Sequence, residues 1–140
     1  MTATSNPLFA NLRVVELASM ILAPSAAVIL ADYGAEVIKI EPPKTGDLNR
    51  HWHKINGLPI SDMAYGFQVD NRNKKSVVLD LKTPAAYEAL CRIIREADVL
   101  ITNYRLKALD KLKLDYETIR ALNPRIIYAL ATGFGEKGEE

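Results

Sequence analysis

The residues best equipped for chemistry lie in one run, Asn71-Arg72-Asn73-Lys74-Lys75-Ser76, continued by Val77-Val78-Leu79-Asp80-Leu81-Lys82 and closed by Thr83-Pro84. It reads as a basic, asparagine-rich loop entering a short apolar strand that ends at a helix start. Basic side chains at the mouth of a strand, with a helix N-terminus close by, suit an anionic, phosphate-bearing ligand. A solvated turn ahead of an ordinary strand uses the same residue types, and these residues alone leave both readings open. A second group, Asn103-Tyr104-Arg105, directly follows another apolar run. In an open α/β sheet, ligands bind beyond the carboxyl ends of strands, and Leu81-Lys82 and Asn103-Tyr104 take that place on two successive strands. An amide, an aromatic face and several cations gathered there suit a nucleotide carrying phosphates. The competing reading packs Tyr104 in the core and leaves the cations in solvent.

Other chemistries lack their residues. The turn Leu17-Ala18-Ser19-Met20-Ile21-Leu22-Ala23-Pro24 contains no glycine, so it cannot form the G-x-G-x-x-G pyrophosphate turn of NAD and FAD sites. No G-x-x-x-x-G-K-[ST] and no G-x-S-x-G occurs, which removes the P-loop and the nucleophile elbow. His51 and His53 flank Trp52 without a third ligand at metal spacing, so no metal is expected. Glu16, Glu41, Asp80 and Asp98 fall at strand ends or loops with no evident pairing, and spacing nominates no catalytic residue. Cys91, the only cysteine, lies in an apolar helical pattern and reads as a packing residue.

These groups must be positioned by alternating strands and helices. Leu12 to Leu17 reads as a buried strand. Ala23 to Tyr33 reads as a helix, with Pro24 in its first turn and Gly34 at its C-terminal cap. Val37 to Ile40 is a second strand stopped by Pro42-Pro43. From Lys44 to Asp70 periodicity disappears, and a stretch that long without regular structure tends to be functional. Ser76 to Leu81 is the third strand. Thr83 then caps a helix whose Ala86, Leu90, Ile93, Ile94 and Ala97 share one face. Asp98 to Ile101, a short helix over Ala108 to Leu112, a helix capped by Asp115 and ended by Asn123-Pro124, and a strand over Arg125 to Ala131 complete the series. The alternation predicts an α/β fold, a Rossmann-like open parallel sheet with flanking helices.

At 49% hydrophobic and 25% charged residues, the chain has the composition of a soluble globular domain. A net charge of +1 supplies no field for nucleic acid or an anionic membrane. Arg13, Glu16 and Pro24 interrupt the apolar stretch from Leu12 to Ala31, and a charge at mid-bilayer costs about 2.5–3.5 kcal/mol. No signal peptide is read at the start, so a cytoplasmic location is expected.

With these segments in order, the chain resembles the class III CoA-transferases, whose relatives include the formyl-CoA and carnitine-CoA transferases and the α-methylacyl-CoA racemases. Leu12-Arg13-Val14-Val15-Glu16-Leu17 with Ala23-Pro24 is similar to the family's opening strand and helix. Gly34-Ala35-Glu36-Val37-Ile38-Lys39-Ile40-Glu41 is similar to its G-A-x-V-I-K-[IV]-E signature, followed by Gly46-Asp47 and Arg50. Asn73 through Lys82, Asn103-Tyr104-Arg105, Leu122-Asn123-Pro124-Arg125, and Gly133-Phe134-Gly135 with Gly138 continue the match. One departure is Arg105-Leu106-Lys107, where the family often has Arg-Pro-Gly.

The resemblance implies coenzyme A as the carried substrate. Leu79, Leu81 and Lys82 with Asn103 and Tyr104 would hold its adenosine-phosphate part, and Arg105 and Lys111 would supply charge to the phosphates. The turn near Ala18 and Ile21 would approach the thioester. It further implies acyl-CoA and carboxylic acid partners, a homodimer of interlaced subunits, and CoA transfer through an aspartyl-CoA anhydride. The catalytic aspartate is expected beyond Glu140, so residues 1–140 would be the N-terminal part of a larger CoA-binding domain, inactive alone. A racemase acting at the α-carbon and a non-enzymatic α/β binding module are the alternatives.

Overall fold

Five short apolar runs become the strands of a single parallel sheet in a computed structural model that describes residues 7–54, 57 and 61–135. Pro59, Gly138 and the side chain of His53 lie outside the described residues. In chain order the elements are β1 (Arg13–Leu17), α1 (Leu22–Asp32), β2 (Glu36–Glu41), a 3-10 turn (Leu48–Lys54) and α2 (Tyr65–Asn71). They continue with β3 (Lys75–Val78), α3 (Pro84–Arg95), β4 (Val99–Thr102), α4 (Leu106–Leu112), α5 (Tyr116–Leu122) and β5 (Ile127–Leu130). The strand order is β3-β2-β1-β4-β5, so the chain winds outward from β1 and then returns to its other side. This is the expected α/β fold, and its reversal point lies between β1 and β4.

Alternation along the strands builds a core on each face. Val15 and Leu17 of β1, Ile40 of β2 and Leu100 of β4 pack with Leu90 and Ile94 of α3, Leu109 of α4 and Ile119 of α5. Val14, Val37, Val99 and Ile101 face the small residues Ala23, Ala27 and Ala31 of α1. Gly34 ends α1 as expected: Gly34 N–H donates to Ala31 O and Ala35 N–H to Leu30 O. Its φ is +101°, and an added Cβ would lie 2.2 Å from Pro7 Cβ, so only glycine fits. Thr83 Oγ1 accepts from Ala86 N–H, and Asp115 Oδ1 accepts from Thr118 N–H, as the capping pattern predicted.

Two elements differ from the sequence expectation. The third strand stops at Val78 rather than Leu81. Its neighbour β2 runs into Pro42-Pro43, which have no N–H to continue the ladder, and Leu79 N–H makes the last bond, to Glu41 O. Residues Asp80 to Thr83 then turn, with Thr83 N–H donating to Asp80 O. The second difference is α2, which lies in the stretch where no periodicity is visible. This helix buries Asp70 and Asn71 and leaves Val69 60% exposed, the reverse of an apolar stripe. Asn123 closes the far end of the sheet: its Nδ2 donates to Ile94 O and Ala97 O at 2.9 and 2.8 Å.

Candidate functional site

The carboxyl ends of β1 and β4 meet at the reversal point, where open α/β sheets bind ligands. Asn103, just after β4, grips the turn after β1. Its Oδ1 accepts from Ser19 N–H at 3.1 Å and its Nδ2 donates to Ser19 O at 2.7 Å. The next residue, Met20, has φ +71°, in the left-handed region that side chains rarely adopt. Asp47 and Asn49 hold it there. Met20 N–H donates to Asp47 Oδ1 and Met20 O accepts from Asn49 Nδ2. Ser19 Oγ also donates to Asp47 Oδ1.

Behind that turn lies a buried chain of charges. Glu16 of β1 stands directly across from Lys39 of β2 in the sheet register. Lys39 Nζ donates to Glu16 Oε1 at 2.6 Å and to Ala18 O at 3.0 Å, and pairs with Asp47 Oδ2 at 2.7 Å. Glu16 Oε2 pairs in turn with Lys74 Nζ at 2.6 Å, and Lys74 also donates to Pro24 O and Asn71 Oδ1. Burial pushes the Lys39 ammonium down, but Glu16 and Asp47 outweigh it and raise its pKa above the ordinary value. For Lys74 burial prevails over Glu16 and the pKa is lowered.

Two adjoining clefts lie along the segment that follows β3. One, of about 150 Å³, lies between Pro42-Pro43, Leu79, Leu81, Tyr104 and Leu112. The other, of about 460 Å³, is bounded by Leu81, Pro84, Tyr87 and Leu112 and rimmed by Lys82, Lys111 and Lys113. Leu81, Lys82 and Leu112 belong to both. None of the three rim lysines has an ion-pair partner among the described residues. Unpaired cations over an apolar floor are suited to an organic anion bearing phosphate. Burial pushes the Tyr104 phenol up, so it stays protonated near neutrality.

Comparison with known proteins points the same way. The family model described as CoA-transferase family III matches residues 9–140. The chain belongs to CoA-transferase family III. It is 43% identical over 139 residues to a succinate–glutarate CoA-transferase of Agrobacterium fabrum, covering 94% of this chain and 34% of that protein. It is 44% identical over 134 residues to a cinnamoyl-CoA:phenyllactate CoA-transferase of Clostridium sporogenes, covering 95% of this chain and 32% of that one. The crystal structure of a CaiB/BaiF family protein from Brucella suis superposes with a TM-score of 0.86 at 40% identity, over 96% of this chain and 36% of that one. The chain thus spans about a third of the length of the relatives it matches.

Within this family III fold, the residues singled out in the sequence fall into two groups, with Arg105 apart from both. Leu79, Leu81, Lys82, Tyr104 and Lys111 come together along the two clefts. Ala18, Ile21 and Asn103 gather at the turn, Ala18 buried with its carbonyl on Lys39 and Ile21 exposed. Arg105 is exposed at the start of α4 and lines neither cleft. Leu81-Lys82 and Asn103-Tyr104 do not end neighbouring strands, since β2 and β1 lie between β3 and β4. They meet because the segment after β3 crosses the end of β2 over Pro42-Pro43.

The cations of the basic loop are paired with carboxylates. Arg72 pairs with Asp32, Lys74 with Glu16 and Lys75 with Glu36, and Asn73 Nδ2 donates to Asp32 Oδ1. Glu16 and Glu41, whose pairing was not evident in the sequence, are both in ion pairs, with Lys39 and Arg50 respectively, and Asp98 Oδ2 accepts from Arg13 N–H. Tyr87 and Lys113, not singled out in the sequence, also line the larger cleft. Tyr87 reaches it from one turn into α3, after the Thr83 cap. Among the described residues no group of three or more His, Cys, Asp or Glu is arranged to hold a metal. Nor is any described helix long and apolar enough to cross a membrane.

Proposed function

We propose that residues 1–140 form the CoA-binding part of the large α/β domain of a CoA-transferase. In this reading Leu79, Leu81 and Tyr104 bed the nucleotide, and Lys82 and Lys111, with Arg105 nearby, attract the phosphates. The turn from Ala18 to Ile21, locked by Asn103, meets the thioester end. The observation that carries the proposal is the pair of unpartnered lysines, Lys82 and Lys111, on an apolar cleft that shares Leu81, Lys82 and Leu112 with the smaller cleft at Tyr104. The family's named relatives support it, each acting on CoA thioesters and carboxylic acids according to its name. The whole enzyme is a cytoplasmic homodimer in this proposal. It moves CoA between carboxylic acids through an aspartyl-CoA anhydride at a carboxylate from outside residues 1–140.

Calorimetric titration of the chain with CoA tests the binding. Lys82→Ala and Lys111→Ala are each expected to weaken CoA by about three- to fivefold, the scale of an exposed ion pair. The losses should shrink at high salt as screening takes over. Absence of heat at millimolar CoA, with no chemical-shift change at Tyr104, would sink the proposal.

A further inference from the structure

The backbone at Lys113 is at odds with its residue type. Residues Leu106–Leu112 of α4 end in a Schellman motif: Lys113 N–H donates to Asp110 O at 3.1 Å and Leu114 N–H to Leu109 O at 2.9 Å. Lys113 sits at the position where such motifs take glycine, with φ 55° and ψ 43°. A side chain in that conformation is strained, and residues held in such strain gather at functional sites. The fold makes use of the Lys113 backbone, whose carbonyl accepts from Tyr87 Oη at 3.1 Å. It makes no use of the ammonium, which has no ion pair or hydrogen bond among the described residues. Instead Lys113 borders the 460 Å³ cleft with Lys82 and Lys111.

The cleft has a direction. Its inner end shares Leu81, Lys82 and Leu112 with the smaller cleft that leads past Tyr104 towards the reversal point. Tyr87 and Lys113 line only the outer cleft. A CoA molecule whose thioester lies at the β1–α1 turn and whose diphosphate passes Lys82 brings its ribose, with the 3′-phosphate, to this outer end. We propose that Lys113 is a third phosphate-binding cation, which reads the 3′-phosphate and so favours CoA over dephospho-CoA. This rests on the CoA-binding reading given above and assigns one end of that site.

Replacement by glycine separates the side chain from the backbone. Lys113→Gly relieves the left-handed strain, so its thermal midpoint should rise. Its affinity for CoA should nevertheless fall by about three- to fivefold, with dephospho-CoA binding unchanged. Lys113→Arg keeps the charge and should retain the preference for CoA. A purely structural role for Lys113 would make affinity follow stability. Wild-type chain that binds CoA, with Lys113→Gly weakening CoA and dephospho-CoA equally or weakening neither, overturns the role of Lys113 alone. Wild-type chain that binds neither ligand removes the site itself, and this inference with it.

Discussion

Replacing Lys39 with methionine is expected to cost about 3–5 kcal/mol of unfolding free energy at pH 7, the scale for breaking a buried ion pair. Lys39 is 1% exposed and lies between two fully buried carboxylates, Glu16 and Asp47. Methionine fills most of the volume of the lysine stem, so the loss comes from charge and not from a cavity. Glu16 retains Lys74, but Asp47 is left with neutral donors alone. Asp47 Oδ2, which Lys39 engages, is then buried without a cation. Removing the charge of Asp47 as well, in Lys39→Met/Asp47→Asn, should therefore recover part of the loss. Urea midpoints of wild type and the two variants check this. A double variant no more stable than Lys39→Met would mean that packing, not charge, is what Lys39 supplies.

The consequence for the site follows from the bonds Asp47 makes. It is the acceptor for both Ser19 Oγ and Met20 N–H, so the left-handed turn rests on a carboxylate that Lys39 holds in place. Polar groups buried under a turn are costly unless fully partnered, and when partnered they fix one geometry. Asn103 does the same from the other strand, using its amide as a short stretch of sheet edge. The residues at the reversal point thus shape the backbone, and the cleft lysines carry the free charge.

How much of this is legible in the sequence depends on whether partners are local. The strands and the helices α1, α3 and α5 are marked by apolar runs and by local punctuation at Pro24, Gly34, Thr83, Asp115 and Asn123-Pro124. Each of these signals acts within one turn of its element. Helix α2 escapes because its buried face carries Asp70 and Asn71, which satisfy Ser25 Oγ, Asn49 and Lys74. No rule of apolar spacing detects a helix that faces a polar interior. Glu16 and Lys39 interrupt otherwise apolar strands, a visible oddity, yet their pairing requires knowing that β1 lies beside β2 in that register. The basic loop stays ambiguous in the sequence for the same reason. Its neutralising carboxylates, Glu16, Asp32 and Glu36, lie far back along the chain. Lys82 and Lys111 stand on the rim of the larger cleft, and no ion pair of the fold claims them among the described residues.

Glu41→Gln is expected to lose about 2 kcal/mol at pH 7, a loss that vanishes in acid. The Glu41 carboxylate is buried and accepts from four donors: Arg50 Nη2 and Ser76 Oγ on Oε1, and Arg50 Nε and Asp47 N–H on Oε2, all within 2.6–2.8 Å. Burial pushes its pKa up, but Arg50, Ser76 and the Asp47 amide outweigh burial and hold it lowered to about 2, from an ordinary 4.5. A depression of that size corresponds to at most about 3 kcal/mol of linkage, and the 37% exposure of the Arg50 side chain reduces it. Because the folded-state pKa is depressed, the stabilisation is complete above the unfolded value. It is lost as pH falls from about 4.5 to about 2. Asp32, Glu36 and Asp115, whose pKa values are also lowered, draw both proteins down in acid, but wild type should fall more steeply through this window, so that the two curves converge near its lower end. The geometry around Glu41 leaves little room for compensation. A Cβ at Gly46 would lie 2.8 Å from both Arg50 Cδ and Glu41 Oε2. The Arg50 guanidinium is further fixed 3.7 Å above the centroid of the Phe67 ring on α2. Parallel acid titrations of the two proteins, followed by circular dichroism, decide it: curves that stay parallel down to pH 2 would mean that Glu41 is held by shape and not by charge.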